Sequence, residues 1–188
     1  MGKSLSIGPL GIDSLQAAVI SHLDSLGLNR NEHRLWTECP EQIAYIDLLN
    51  LASVGLFLEH VAKIEGFTDT NVALDQTRFR QLPWWDFSIW LPISFAPPTL
   101  LDDGGFPIFL GSCHALLADL EEVNKLSSLQ LGKAPRGYDA MRADIKKFYR
   151  SSFELDDEAS IIQWIWKAIY DGAQIAIEHH AVLFGEPG

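Results

Sequence analysis

The sequence predicts a mainly α fold of the α+β class. It reads as a helical domain around a buried central helix at about 41–65, with a long C-terminal amphipathic helix and a small β-hairpin at about 86–95 and 106–110. Three observations predict it. Residues 43–64, IAYIDLLNLASVGLFLEHVAKI, spread apolar side chains around most of a 3.6-residue wheel, so a helix there has to be covered on nearly every side. Residues 158–180 put Ser160, Gln163, Lys167, Asp171, Gln174 and Glu178 on one polar stripe, with Ile162, Ile165, Trp166, Ile169 and Ala173 opposite. Residues 86–95, DFSIWLPISF, alternate with the two-residue period of a strand that buries one face.

Composition bounds the rest. A length of 188 residues fits a single domain over 1–188 that buries a core without staples, and 47% apolar with 21% charged residues is a globular balance. The net charge of −11 argues against general affinity for nucleic acid or anionic membrane, because both need clustered Lys and Arg. It leaves a basic protein as the favoured partner, with room for a homodimer. Cys39 and Cys113 form no CxxC or Cys/His ligand spacing, so neither a disulfide framework nor a zinc site is implied. No apolar signal segment and no membrane-length apolar run is present, which makes the expected location cytoplasmic.

In chain order, Asp13 caps a first helix that ends at Gly27, with Leu15, Val19, Leu23 and Leu26 as its apolar stripe. A polar connector leads to Pro40 and Glu41, which open the central helix, and Gly66 closes it. On that helix Glu59, His60 and Lys63 share a solvated sector, while Asp47 and Asn50 project from apolar surroundings and need backbone partners in a neighbouring loop. In the strand at 86–95, Phe87, Ile89, Leu91, Ile93 and Phe95 face inward and Trp90 faces out. Pro92 makes it an edge strand or one broken at that point. Asp103, Gly104 and Gly105 supply the turn toward the second strand. Ser112 caps a helix over 113–126, with Leu116, Leu117, Leu120 and Val123 inside and Asp119, Glu121 and Glu122 outside. A further helix at 138–150 has a narrow apolar face. Residues 133–150 hold six basic side chains against Asp139 and Asp144, a balance of +4 that leaves −15 for the remainder.

No segment carries a catalytic signature. His179 and His180 are adjacent, not three or four residues apart, so they make no helical metal site, and they are expected to turn toward the apolar side of the last helix. Cys113 and His114 diverge on their helix, which reads as a buried structural cysteine. No cofactor and no metal is implied. Trp84, Trp85 and Trp90 form the densest aromatic cluster, and with Asp102 and Asp103 they make the expected partner-binding surface. The expected function is that of an acidic protein-binding module masking a basic partner, as immunity and antitoxin proteins do. The competing reading is a small enzyme or ligand binder whose pocket, between the central helix and the 84–110 hairpin, gathers Asp47, His60 and Asp86.

Overall fold

Backbone N–H and C=O groups taken out of water need partners, and six short segments of this chain find them in one another. The computed structural model describes residues 3–9, 13–28, 43–68, 77–82, 87–95, 97–102, 107–133 and 157–187. Strands β1 (Lys3–Gly8), β2 (Ala44–Asp47), β3 (Ser88–Leu91), β4 (Thr99–Asp102), β5 (Pro107–Ser112) and β6 (Val182–Pro187) form one sheet in the order β2-β1-β6-β3-β5-β4. Strands β3 and β5 run parallel and the other neighbours antiparallel. The described helices are α1 (Asp13–Ser25), α2 (Leu51–Ile64), α3 (Cys113–Leu126) and α4 (Glu158–Glu178). The fold is therefore α+β with a substantial sheet at its centre, which corrects the expectation of a mainly helical domain with one small hairpin.

Both faces of the sheet are covered. Leu5, Ile7, Trp90, Phe109 and Leu183 point to one side, where they meet Phe57 and Val61 of α2, Leu116 and Leu120 of α3, and Ile165 and Ile169 of α4. Ile89, Leu91, Leu101, Leu110 and Val182 point to the other, where Val19 and Leu23 of α1 pack on them. A sheet with helices on both faces has no polar side for its central strands. That is why β3 is buried along its whole length.

The expected central helix divides at residues 48–50. Residues 44–47 pair with β1, with Ser4 opposite Asp47, and the amide of Leu48 donates to the Lys3 carbonyl at 2.8 Å. Leu49 adopts φ 68°, and the Asn50 side chain accepts from the Ser53 amide at 2.9 Å, which starts α2 at Leu51. Asn50 thus caps its own helix instead of bonding a distant loop. A short apolar run buried on all sides reads equally well as strand or helix, and the cap decides the matter here.

The expected hairpin is also rearranged. β3 lies inside the sheet between β6 and β5, and its partner β5 is parallel to it. The antiparallel hairpin is β4–β5, with Asp102 opposite Pro107, and β4 comes from the residues between the two expected strands. Pro92 follows the last residue of β3, where a residue without a donor no longer interrupts a ladder. At the end of α4, His179 and His180 are exposed instead of turned inward. His180, at φ 51°, redirects the chain so that the Ala181 amide reaches the Ala176 carbonyl at 2.8 Å and β6 can begin. The helix expected at 138–150 lies outside the described residues. No helix among the described residues is long and apolar enough to cross a membrane.

Candidate protein-binding face

The site is organised by the short segment 77–82, which runs past the middle of α3. Gln81 ties it down with three contacts. Its amide donates to Asp119 Oδ2 at 3.0 Å, its carbonyl accepts from the Trp90 indole at 3.0 Å, and its side-chain Oε1 accepts from the Ser112 amide at 3.0 Å. Gly111 makes this packing possible: a Cβ there would lie 2.5 Å from both Gln81 Oε1 and Trp90 Cδ1. The start of the same segment carries charge at Arg78. Arg78 Nε lies 2.7 Å from Glu65 at the end of α2 and Nη2 lies 3.1 Å from Glu122 on α3, while its guanidinium stands over the Phe79 ring at 5.1 Å.

Around this strap the carboxylates gather on the helical layer. Asp119, Glu121 and Glu122 occupy one turn of α3, with the last two exposed, and Glu65 closes α2 beside them. Partial burial pushes Asp119 up to about 6. The Gln81 amide opposes that rise, and the negative charges of Glu122 and Glu65 add to it. The like charges are thus close enough to act on one another. Tyr170 of α4 stacks on Trp166 with ring centroids 4.8 Å apart, and its hydroxyl donates to Glu121 at 3.4 Å. Burial, followed by the charge of Glu121, raises the pKa of that hydroxyl. Asp171 and Lys167 form an ion pair on α4 in which Asp171 is 3% exposed, so one member of the expected polar stripe belongs to the interior.

A second group of charges stands where α2 meets the start of α4. Asp157 caps α4 by accepting from the Ser160 amide at 2.7 Å, and Glu158 is exposed in its first turn. Glu59 and Lys63 form the expected i,i+4 pair at 3.7 Å. His60 Nε2 sits 2.8 Å from Ser127 Oγ, and burial together with nearby Lys63 lowers the pKa of its imidazole.

Of the residues nominated from sequence, the structure describes the side chains of Trp90, Asp102 and His60. Trp90, expected to be exposed, is fully buried, because α2, α3 and α4 cover the face of β3 that the alternation assigned to solvent. Asp102 is exposed at the end of β4. Trp84, Trp85, Asp86 and Asp103 lie outside the described residues. Asp47 ends β2, and its side chain is not among those described. His60 lines a groove with Glu59 and Glu158 to which Asp102 does not contribute. Cys113 is buried, its thiol donates to the Trp90 carbonyl at 3.4 Å, and burial raises its pKa far from the reactive range. Sequence reasoning placed Asp119, Glu121 and Glu122 outside α3 without giving them a role, and it passed over Glu65 and Arg78. The signal available was the −15 balance together with an exposed DLEE turn.

Residues 86–184, just over half of the chain, match the family described as "Putative DNA-mimic protein". No curated protein and no solved structure matches the chain. The chain belongs to this DNA-mimic family. Membership corrects the expected immunity or antitoxin role. It also corrects the exclusion of nucleic acid, which enters here as the thing imitated. The competing enzyme reading joined His60 to Asp47 and Asp86, whose side chains lie outside the described residues.

Proposed function

From that membership we propose that the protein binds a DNA-binding protein in place of DNA, presenting carboxylates of its helical layer where the partner expects phosphates. Family membership over residues 86–184 carries the reading. The exposed Glu121 and Glu122 on α3, and Asp157 and Glu158 at the start of α4, lie within the matched residues and support it. A net charge of −11 supports it too. The physical reason is simple: DNA-binding proteins gain most of their sequence-independent affinity from Lys and Arg facing fixed negative charge. Carboxylates held on a rigid scaffold offer such charge, and their field also speeds encounter. A cytoplasmic location would fit partners of this class.

The test is capture followed by competition. The full chain is immobilised, incubated with lysate at low salt, and washed with a duplex of about two helical turns. Proteins that bind duplex DNA should leave the resin with that wash, and they should not be retained by Glu121→Lys/Glu122→Lys. Recovery of the same proteins by both forms, or the absence of any protein released by the duplex, would contradict the proposal.

A further inference from the structure

The groove between α2 and the start of α4 has a volume of about 450 Å³, within the roughly 300–1,000 Å³ typical of small-ligand sites. Leu56, Leu129 and Ile162 give it apolar walls, and Glu59 and Glu158 stand on its sides. We propose that this groove receives an arginine side chain of the DNA-binding partner, the stem lying on the apolar walls and the guanidinium reaching Glu59 and Glu158. The inference rests on the reading in the preceding subsection and adds where and how the partner is held.

Three observations support an arginine. Long cationic side chains lay their methylenes on apolar surface while keeping the charged head among polar groups, which is the arrangement these walls and sides offer. The planar guanidinium pairs with carboxylates through two parallel hydrogen bonds, as it does with phosphate, whereas an ammonium is a strongly hydrated point charge. Elsewhere in the chain a guanidinium likewise spans two carboxylates over an apolar surface, since Arg78 makes one contact to Glu65 and one to Glu122 while standing over the Phe79 ring. The cations already present are weak competitors. Lys63 stands 3.7 Å from Glu59 with its side chain 67% exposed, and exposed lysine pairs are easily displaced. His60 is tied to Ser127, and its lowered pKa keeps it uncharged near neutral pH.

The experiment measures binding of hexa-arginine and hexa-lysine peptides to the full chain by calorimetry at low salt. Glu59→Gln/Glu158→Gln should weaken hexa-arginine by about tenfold, as expected when a close charge pair is removed. Asp102→Asn/Glu178→Gln removes the same charge at exposed positions away from the groove and should weaken it much less. Ala159→Arg, which obstructs the groove, should act like the first pair, and its thermal unfolding shows whether it is folded. Hexa-lysine should bind more weakly than hexa-arginine and respond similarly to both double variants. Equal losses of hexa-arginine binding in the two double variants would overturn the groove assignment, as would no hexa-arginine binding by the wild type. If the groove variants still displace DNA from the captured partner as well as wild type does, the groove falls while the parent reading stands. If no captured protein is released by duplex DNA, the parent reading fails and the groove with it.

Discussion

The strap at 77–82 joins two regions that treat polar groups in opposite ways. Around Gln81 and Trp90 each named polar atom has a named partner: the indole, the Ser112 amide and the Gln81 backbone are all bonded at 3.0 Å. Buried polar groups left unpaired are costly, so this region is saturated and its geometry is fixed. A few ångströms along the same strap, Glu65, Asp119 and Glu122 crowd like charges together with Arg78 among them, and Glu121 and Glu122 remain exposed. Crowding of that kind does nothing for stability. The difference teaches that the first region serves the fold and leaves the second available for the proposed encounter, and substitutions should separate the two.

The largest expected effect on stability is at the centre of the saturated region. Trp90→Ala should cost about 3–5 kcal/mol, the usual cost of truncating a buried aromatic, because it also strands the Gln81 carbonyl. A urea midpoint unchanged from wild type would break the comparison at its foundation. Next comes Gly111→Ala, where the added methyl meets the Trp90 ring and the bonded Gln81 side chain at 2.5 Å, for an overpacking cost of about 1–3 kcal/mol. Thermal unfolding of the variant measures it, and an equal or higher midpoint would show that the knot yields freely.

Asp119 sits on the boundary and sharpens the contrast. Its carboxyl has an ordinary value of 3.8 and is raised to about 6, so the folded state holds the proton more tightly than the unfolded chain does. The stability this contributes is present below 3.8 and is lost as pH rises through about 6. The stability of wild type relative to Asp119→Asn should therefore be greatest at the acid end, fall across that window, and level off above it. A difference that does not change with pH would mean that burial and the neighbouring charges do not act on Asp119. The smallest stability effect is expected for Glu121→Lys/Glu122→Lys, within about 0.5 kcal/mol per site as for most surface substitutions.

Local patterns in this sequence were readable, and pairings between distant segments were not. Ser112 and Asp157 cap helices through side-chain oxygens one turn away, and helices 113–126 and 158–178 follow from caps and periodicity alone. Ile89, Leu91, Ile93 and Phe95 do share one buried face, as their alternation implies, whereas Phe87, expected with them, is exposed just ahead of β3. What alternation cannot reveal is that a second helical layer covers the other face, and that is why Trp90 was misplaced. The sheet depends on β6, near one end of the chain, pairing with β1 near the other, a contact with no local signature. The alternation of Ser4, Leu5, Ser6 and Ile7 was the one cue, and a strand that short has no meaning without its partner. The acidic site was legible as charge but not as position. A net count shows an excess of carboxylates, whereas only the fold shows that α3 and the end of α2 bring Glu122 and Glu65 to Arg78 and close enough to Asp119 to act on it.

The most direct test of the account uses a partner released from the immobilised chain by duplex DNA. That partner is purified and bound to a labelled duplex, the chain is titrated in, and fluorescence anisotropy follows the DNA. The account predicts that wild type returns the duplex to its free anisotropy, less effectively as salt rises, and that Glu121→Lys/Glu122→Lys fails while remaining as stable as wild type. A ternary complex in which the duplex stays bound as the chain is added would contradict it.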